Sequence, residues 1–126
     1  MRSIVKNNRL YYSNQKGKYG TRKFNCWGST AFVLGIRDRL YWLGMYEMEA
    51  ILEEYTDVIE ETDIQRGDIL TIYDQGGLTH TAIYLGRGRY FQKKGGNNSE
   101  ITDIGGVFEI YGDYQVEYRR VVKITT

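Results

Sequence analysis

The stretch "LTHTAIYLGRGRYFQK" (78–93) limits what this chain can fold into more than any other segment. Side chains alternate through residues 79–85. His80, Ala82 and Tyr84 therefore share one face of a strand, and Thr79, Thr81, Ile83 and Leu85 the other. Gly86-Arg87-Gly88 signals a hairpin, and "RYFQK" (89–93) is the return strand. With a three-residue loop, Leu85 pairs with Arg89. Counting back along both strands then makes His80 and Gln92 diagonal neighbours on one face, whereas a two-residue loop separates them. On one face, Gln92 can accept from one imidazole nitrogen and leave the other to take a proton from a thiol.

The rest of the chain divides around this hairpin. "DILTIY" (68–73), "VFEIY" (107–111) and "YQVEYRRVVKI" (114–124) are rich in strand formers, the last two joined by a Gly112-Asp113 turn. Gln75-Gly76-Gly77 and "GGNNSE" (95–100) are expected loops. Upstream, Trp27, Thr30, Ala31, Val33 and Leu34 recur at helical spacing after Asn25, a good N-cap residue, and Gly35 marks the helix end. A second helix is expected over 46–55, with Met48, Ile51, Leu52 and Tyr55 on one face and glutamates on the other. Helices followed by antiparallel strands make an α+β fold. Residues 1–24 are polar and are expected to form an irregular arm; with no dividing linker, 1–126 is expected to be a single domain.

Bulk chemistry excludes several functions. A net charge of +1 gives no general attraction to nucleic acid or anionic membrane. Arg87, Arg89, Lys93 and Lys94 are expected to be a solvated hairpin tip rather than a basic patch. One cysteine rules out an internal disulfide, and one cysteine with one histidine makes a poor zinc set. No metal and no cofactor are expected. No apolar run fits a signal peptide or approaches the roughly 20 residues of a membrane span, so the protein is expected to be soluble and cytoplasmic as made. Asp68, after Gly67, is expected to cap a turn. Glu47, Glu49, Glu53, Glu54, Glu60 and Glu61 are expected to be a solvated helix face and its exit.

Cys26 has two readings on its own residues. A lone cysteine often packs as a small apolar side chain. At the first turn of a helix, however, unpaired N–H groups and the helix dipole favour the nucleophilic thiolate and can stabilise an oxyanion.

A cysteine, a histidine and an amide in this order form the constellation of papain-like hydrolases. "FNCWGSTAFV", "RGDILTIY" and "HTAIYLGRGRYFQ" together resemble the NlpC/P60 group of papain-like cysteine peptidases, over about residues 19–95. The resemblance implies N-terminal helices carrying the cysteine, packed on an antiparallel sheet or half-barrel. It implies Cys26 as nucleophile, His80 as general base and acid, and Gln92 as the orienting residue. Tyr19 stands near the position of the family's substrate-contacting tyrosine, and Trp27, Ser29 and Thr79 are further candidate substrate contacts beside the Cys and His. The implied activity is thiol-dependent amide hydrolysis through a thioester, with short bacterial cell-wall peptides as substrate. A wall hydrolase without a leader would be delivered by phage or a secretion system. The sequence departs from the family at Asn25, where an acid is usual, at Trp27, where a small residue is usual, and at Gln92, where His or Asn is usual. Those departures keep two alternatives open: an acyltransferase, thioesterase or deamidase on a protein or lipid, and an inactive binding or inhibitory module. The oligomeric state is not specified by these residues.

Overall fold

Asn25 caps helix α1 (Cys26–Val33) and ties it to the chain that follows. Its Oδ1 accepts from the Gly28 N–H (3.0 Å) and the Leu43 N–H (3.3 Å), and its Nδ2 donates to the Leu43 carbonyl (2.7 Å). An aspartate has no donor for that carbonyl, which gives a reason for Asn where the family usually has an acid. The computed structural model containing this helix describes residues 25–93, 99–111 and 115–123.

After α1 come helix α2 (Met45–Tyr55), strand β1 (Thr56–Ile59), a 3-10 turn (Glu61–Asp63), β2 (Ile69–Asp74), β3 (Gly77–Gly86), β4 (Arg89–Lys93), β5 (Ser99–Thr102), helix α3 (Ile104–Tyr111) and β6 (Gln115–Val121). The strands form one antiparallel sheet in the order β1-β6-β2-β3-β4-β5. The architecture is the expected α+β, with the cysteine on the first described helix.

Both sheet faces are covered. Helix α1 packs on β3 and β4 and is buried on nearly every side, at Cys26, Gly28, Ser29, Thr30, Ala31 and Val33. A helix that is buried all round needs no amphipathic stripe. Thr30 and Thr81 share a hydrogen bond between their hydroxyls (2.8 Å), which fixes the Thr81 side of β3 as the α1 side. The core on this face joins Ala31, Val33, Met48, Ile51 and Leu52 to Ile69, Ile83 and Phe91. On the opposite face Val107 of α3 packs with Leu70, Ile72, Ala82 and Tyr90.

Gly28 is where α1 meets the chain most closely. A Cβ there would overlap the Tyr41 carbonyl oxygen, a backbone atom that cannot move aside cheaply. Gly28→Ala is expected to destabilise the fold by about 1–3 kcal/mol, the range for overpacking. Urea denaturation measures this, and an unchanged midpoint would contradict it.

The hairpin turn differs from expectation in an instructive way. Arg87 and Gly88 form a two-residue turn, both with positive φ (55° and 74°), closed by the pair Gly86↔Arg89. The register then shifts between Tyr84 and Gly86, with Gly86 at φ 91°. This bulge supplies the extra residue assigned above to a three-residue loop. Beyond it Tyr84 pairs with Tyr90 and Ile83 with Phe91. The parity that puts His80 and Gln92 on one face is thus kept by a bulge rather than by loop length.

Four further expectations are corrected. "VFEIY" belongs to helix α3, not to a strand. Asp103 starts that helix, accepting from the Gly106 N–H through its side chain (2.9 Å) and from the Val107 N–H through its carbonyl (3.2 Å). The helix then buries Val107 on the sheet. The strand β6 therefore pairs with β1 and β2, not with "VFEIY". Two short strands had no strong sequence signal: β1, which continues directly from α2, and β5, whose Ser99 and Glu100 stood in an expected loop. Lys93 is not at a solvated hairpin tip. It is 1% exposed, while Arg87 and Arg89 at the turn are exposed. Lys94, residues 95–98, the Gly112-Asp113 turn and residues 1–24 lie outside the described residues.

Asp68 does cap a turn, accepting from the Gln65 N–H (2.7 Å). It also holds Arg120 of β6 through two bonds of 3.0 and 2.8 Å. Of the six glutamates, Glu49 is half-buried and the other five are exposed.

Candidate active site

His80 and Gln92 meet on the α3 side of the sheet, both fully buried, with His80 Nε2 2.8 Å from Gln92 Oε1. Gln92 Nε2 donates to Glu100 Oε1 (2.7 Å) and to the Gly106 carbonyl (3.3 Å). The carbonyl and the carboxylate oxygen are acceptors, so the amide nitrogen faces them and its oxygen faces His80. The imidazole Nε2 therefore carries the proton, and in the neutral ring Nδ1 carries the lone pair. Glu100 is directly opposite Gln92 in the β4–β5 ladder. It was missed in the sequence because "GGNNSE" has the composition of a loop.

Cys26 approaches the same strand from the start of α1. Its side chain is buried, at 5% exposure. The backbone N–H groups of Thr81, Trp27 and Cys26 itself face the sulfur and favour its thiolate. The Thr81 N–H belongs to the peptide that joins it to His80, so the sulfur meets β3 one peptide unit from His80. This contact lies past the last described β3–β4 pair, Ile83↔Phe91. The helix cap explains which amides reach the sulfur. Asn25 takes the Gly28 N–H with its side chain and the Ser29 N–H with its carbonyl (2.9 Å). That leaves the Cys26 and Trp27 amides of the first turn for other acceptors.

Two forces set the thiol. Burial raises its pKa from 9.0 to about 12, and the three amides and the Lys93 charge oppose that rise without overcoming it. The helix start pushes the thiol in the expected direction, but burial wins. At rest Cys26 is a protonated thiol, and forming its thiolate requires a base.

Lys93 lies on the α1 face of β4, alternating with Gln92 on the α3 face. Burial pulls its ammonium down from 10.5 to about 8, and Cys26 opposes the pull. Folding thus favours the neutral amine. The penalty on the cation is complete below pH 8 and fades as pH rises toward 10.5. Folding stability is expected to rise between pH 7 and 8.5 in urea titrations, and to rise less in Lys93→Met. Above pH 9 the raised Cys26 pKa acts in the opposite sense, because the unfolded thiol then releases its proton first. Parallel profiles for both proteins below pH 8.5 would contradict the assignment.

The remaining candidates are spread around this centre. Trp27 is half-buried against the α1-side core, and its indole Nε1 has no hydrogen-bond partner among the described residues. Ser29 is buried within α1. The Thr79 hydroxyl donates to the Ile72 carbonyl (3.0 Å). Tyr19 lies outside the described residues. Among the described residues no group of three or more His, Cys, Asp or Glu is placed to hold a metal, and no helix is long and apolar enough to cross a membrane.

No curated protein matches the chain. The NlpC/P60 family matches it over residues 11–120, which includes both strands of the His80 hairpin, the cysteine helix and the six strands of the sheet up to, but not including, the last residue of β6. This coverage extends well beyond the segments that carried the resemblance, and the chain belongs to the NlpC/P60 family.

Proposed function

We propose that the protein is a cysteine-dependent amide hydrolase acting on peptidoglycan peptides, with Cys26 as nucleophile, His80 as base and acid, and Gln92 as the residue that orients His80. The observation that carries this reading is the hydrogen bond from His80 Nε2 to Gln92 Oε1, which leaves Nδ1 as the proton-accepting nitrogen. The Cys26 thiol gives its proton to Nδ1, and the thiolate attacks the amide carbon. The Cys26 and Trp27 amides at the α1 N-terminus stabilise the developing oxyanion. His80 then returns the proton to the departing amine, leaving a thioester on Cys26. Water, deprotonated by the same imidazole, hydrolyses the thioester and restores the thiol. Tyr19, Trp27, Ser29 and Thr79 remain the candidate substrate contacts.

The substrate class comes from the family, and the cleaved bond is open to direct measurement. Purified peptidoglycans with diaminopimelate and with lysine at the third stem position are incubated with the protein, and new amino termini are counted. The reading predicts release from at least one of them that is lost in Cys26→Ala. Absence of release from both would move the substrate to another acyl group, on a protein or a lipid.

A further inference from the structure

The departure of greatest chemical consequence is a residue that the resemblance leaves without a role. Lys93 is a lysine buried to 1% exposure on the inner face of β4, under the helix that carries the nucleophile. Lysine is almost never fully buried without a partner. Cys26, at the start of α1, is the titratable group that the described residues place in electrostatic contact with it. From β3 the same space is faced by Thr81, whose hydroxyl is engaged with Thr30. From β5 it is faced by Ser99, the residue directly opposite Lys93 in the ladder. Ser99 is fully buried, and its hydroxyl has no hydrogen-bond partner among the described residues. The strand thus carries two polar groups of different purpose on its two faces. Gln92 points toward α3 and His80, and Lys93 points toward α1.

We propose that Lys93 is a positioning and electrostatic residue of the Cys26 site, whose buried ammonium stabilises the Cys26 thiolate. This inference rests on the reading of Cys26 as a nucleophile. Its chemistry is complementary to that reading. Once the thiol proton has moved to His80, the site holds an anion in a desolvated space, and the Lys93 cation is a charge of opposite sign buried under the same helix. The cation is present at neutral pH, because even its lowered pKa is about 8. It is lost as pH rises beyond that value, so its help to the thiolate fades in alkaline solution. An adjacent opposite charge typically moves a thiol or carboxyl by about 1–3 pKa units.

The test needs no substrate. The chain has one cysteine, so an intact-mass adduct with iodoacetamide reports Cys26 alone. Wild type, Lys93→Met and Lys93→Arg are alkylated across pH 6–10. Lys93→Met removes the charge and keeps the length; it also relieves a buried cation, so it is not expected to unfold. The inference predicts that Lys93→Met slows alkylation about tenfold or more near pH 7, with the difference shrinking above pH 8, and that Lys93→Arg restores most of the rate. A rate–pH profile of Lys93→Met that overlays wild type would overturn it, as would equal loss in Lys93→Arg and Lys93→Met. Failure of peptidoglycan cleavage with a shifted alkylation profile would instead count against the substrate alone.

Discussion

His80→Ala is expected to lower amide hydrolysis by about 10²–10⁴-fold, the range for losing a positioned general base. The raised thiol makes the dependence strong. Burial holds the thiol well above its ordinary range, so it rests protonated at neutral pH and ionises little by itself. In the proposed mechanism, proton transfer to His80 Nδ1 supplies what burial withholds. His80 is fully buried against Gln92, so the variant also leaves Gln92 Oε1 without its donor, and folding is checked by urea denaturation alongside the assay. A folded His80→Ala protein with wild-type turnover would remove His80 from the reaction.

Gln92 carries the second large effect, and two substitutions separate orientation from mere packing. In Gln92→Leu, His80 Nε2–H loses its acceptor in the interior, at about 1–3 kcal/mol, and half-buried Glu100 loses one of its bonds. The imidazole is then free to turn or to change tautomer, and turnover is expected to fall by about 10²-fold, the scale of a misplaced catalytic group. In Gln92→His, a neutral ring can accept from His80 with one nitrogen and donate to Glu100 with the other. This restores the relay with a residue usual in the family, and turnover is expected within about tenfold of wild type. Equal turnover in Gln92→Leu and wild type would mean that His80 is held by packing alone. Assays at saturating substrate give the comparison, since an orienting residue acts on turnover and not on binding.

The elements that position this relay were legible to different degrees, for reasons visible in particular residues. The His80 hairpin, the capped cysteine helix and Asp68 in its turn all follow local rules: alternation, an Asn N-cap and a Gly-Asp turn. Helix α3 was not legible because Val107, Phe108 and Glu109 have strand composition, and the decisive signal was Asp103 capping a two-glycine start. Strands β1 and β5 are four residues each, too short to show a period, and exist through pairing with β6 and β4. The bulge at Gly86 illustrates a different limit. Loop length alone gave two opposite placements for Gln92, and backbone geometry at one glycine decided between them.

The residue types of the proposed site were legible in the sequence, but its electrostatics were not. Cys26, His80 and Gln92 stand out as a nucleophile, a base and an amide in a plausible order. The sequence does not show that burial dominates the thiol, nor that Glu100 closes the Gln92 amide, because both depend on what packs across the sheet. Lys93 is the clearest case. Beside Lys94 and "GGNNSE" it has the surroundings of a surface lysine, but strand alternation turns it inward under α1.

The central claim is that an acyl group passes through the sulfur of Cys26. The most direct measurement is the intact mass of the protein after acid quenching during cleavage of a peptidoglycan peptide. The account predicts a mass increase equal to the acyl fragment, located on Cys26 by proteolysis, accumulating in wild type and absent from Cys26→Ala, which also releases no amine. Cleavage by Cys26→Ala at the wild-type rate, with no adduct on Cys26 in the wild-type protein, would contradict it.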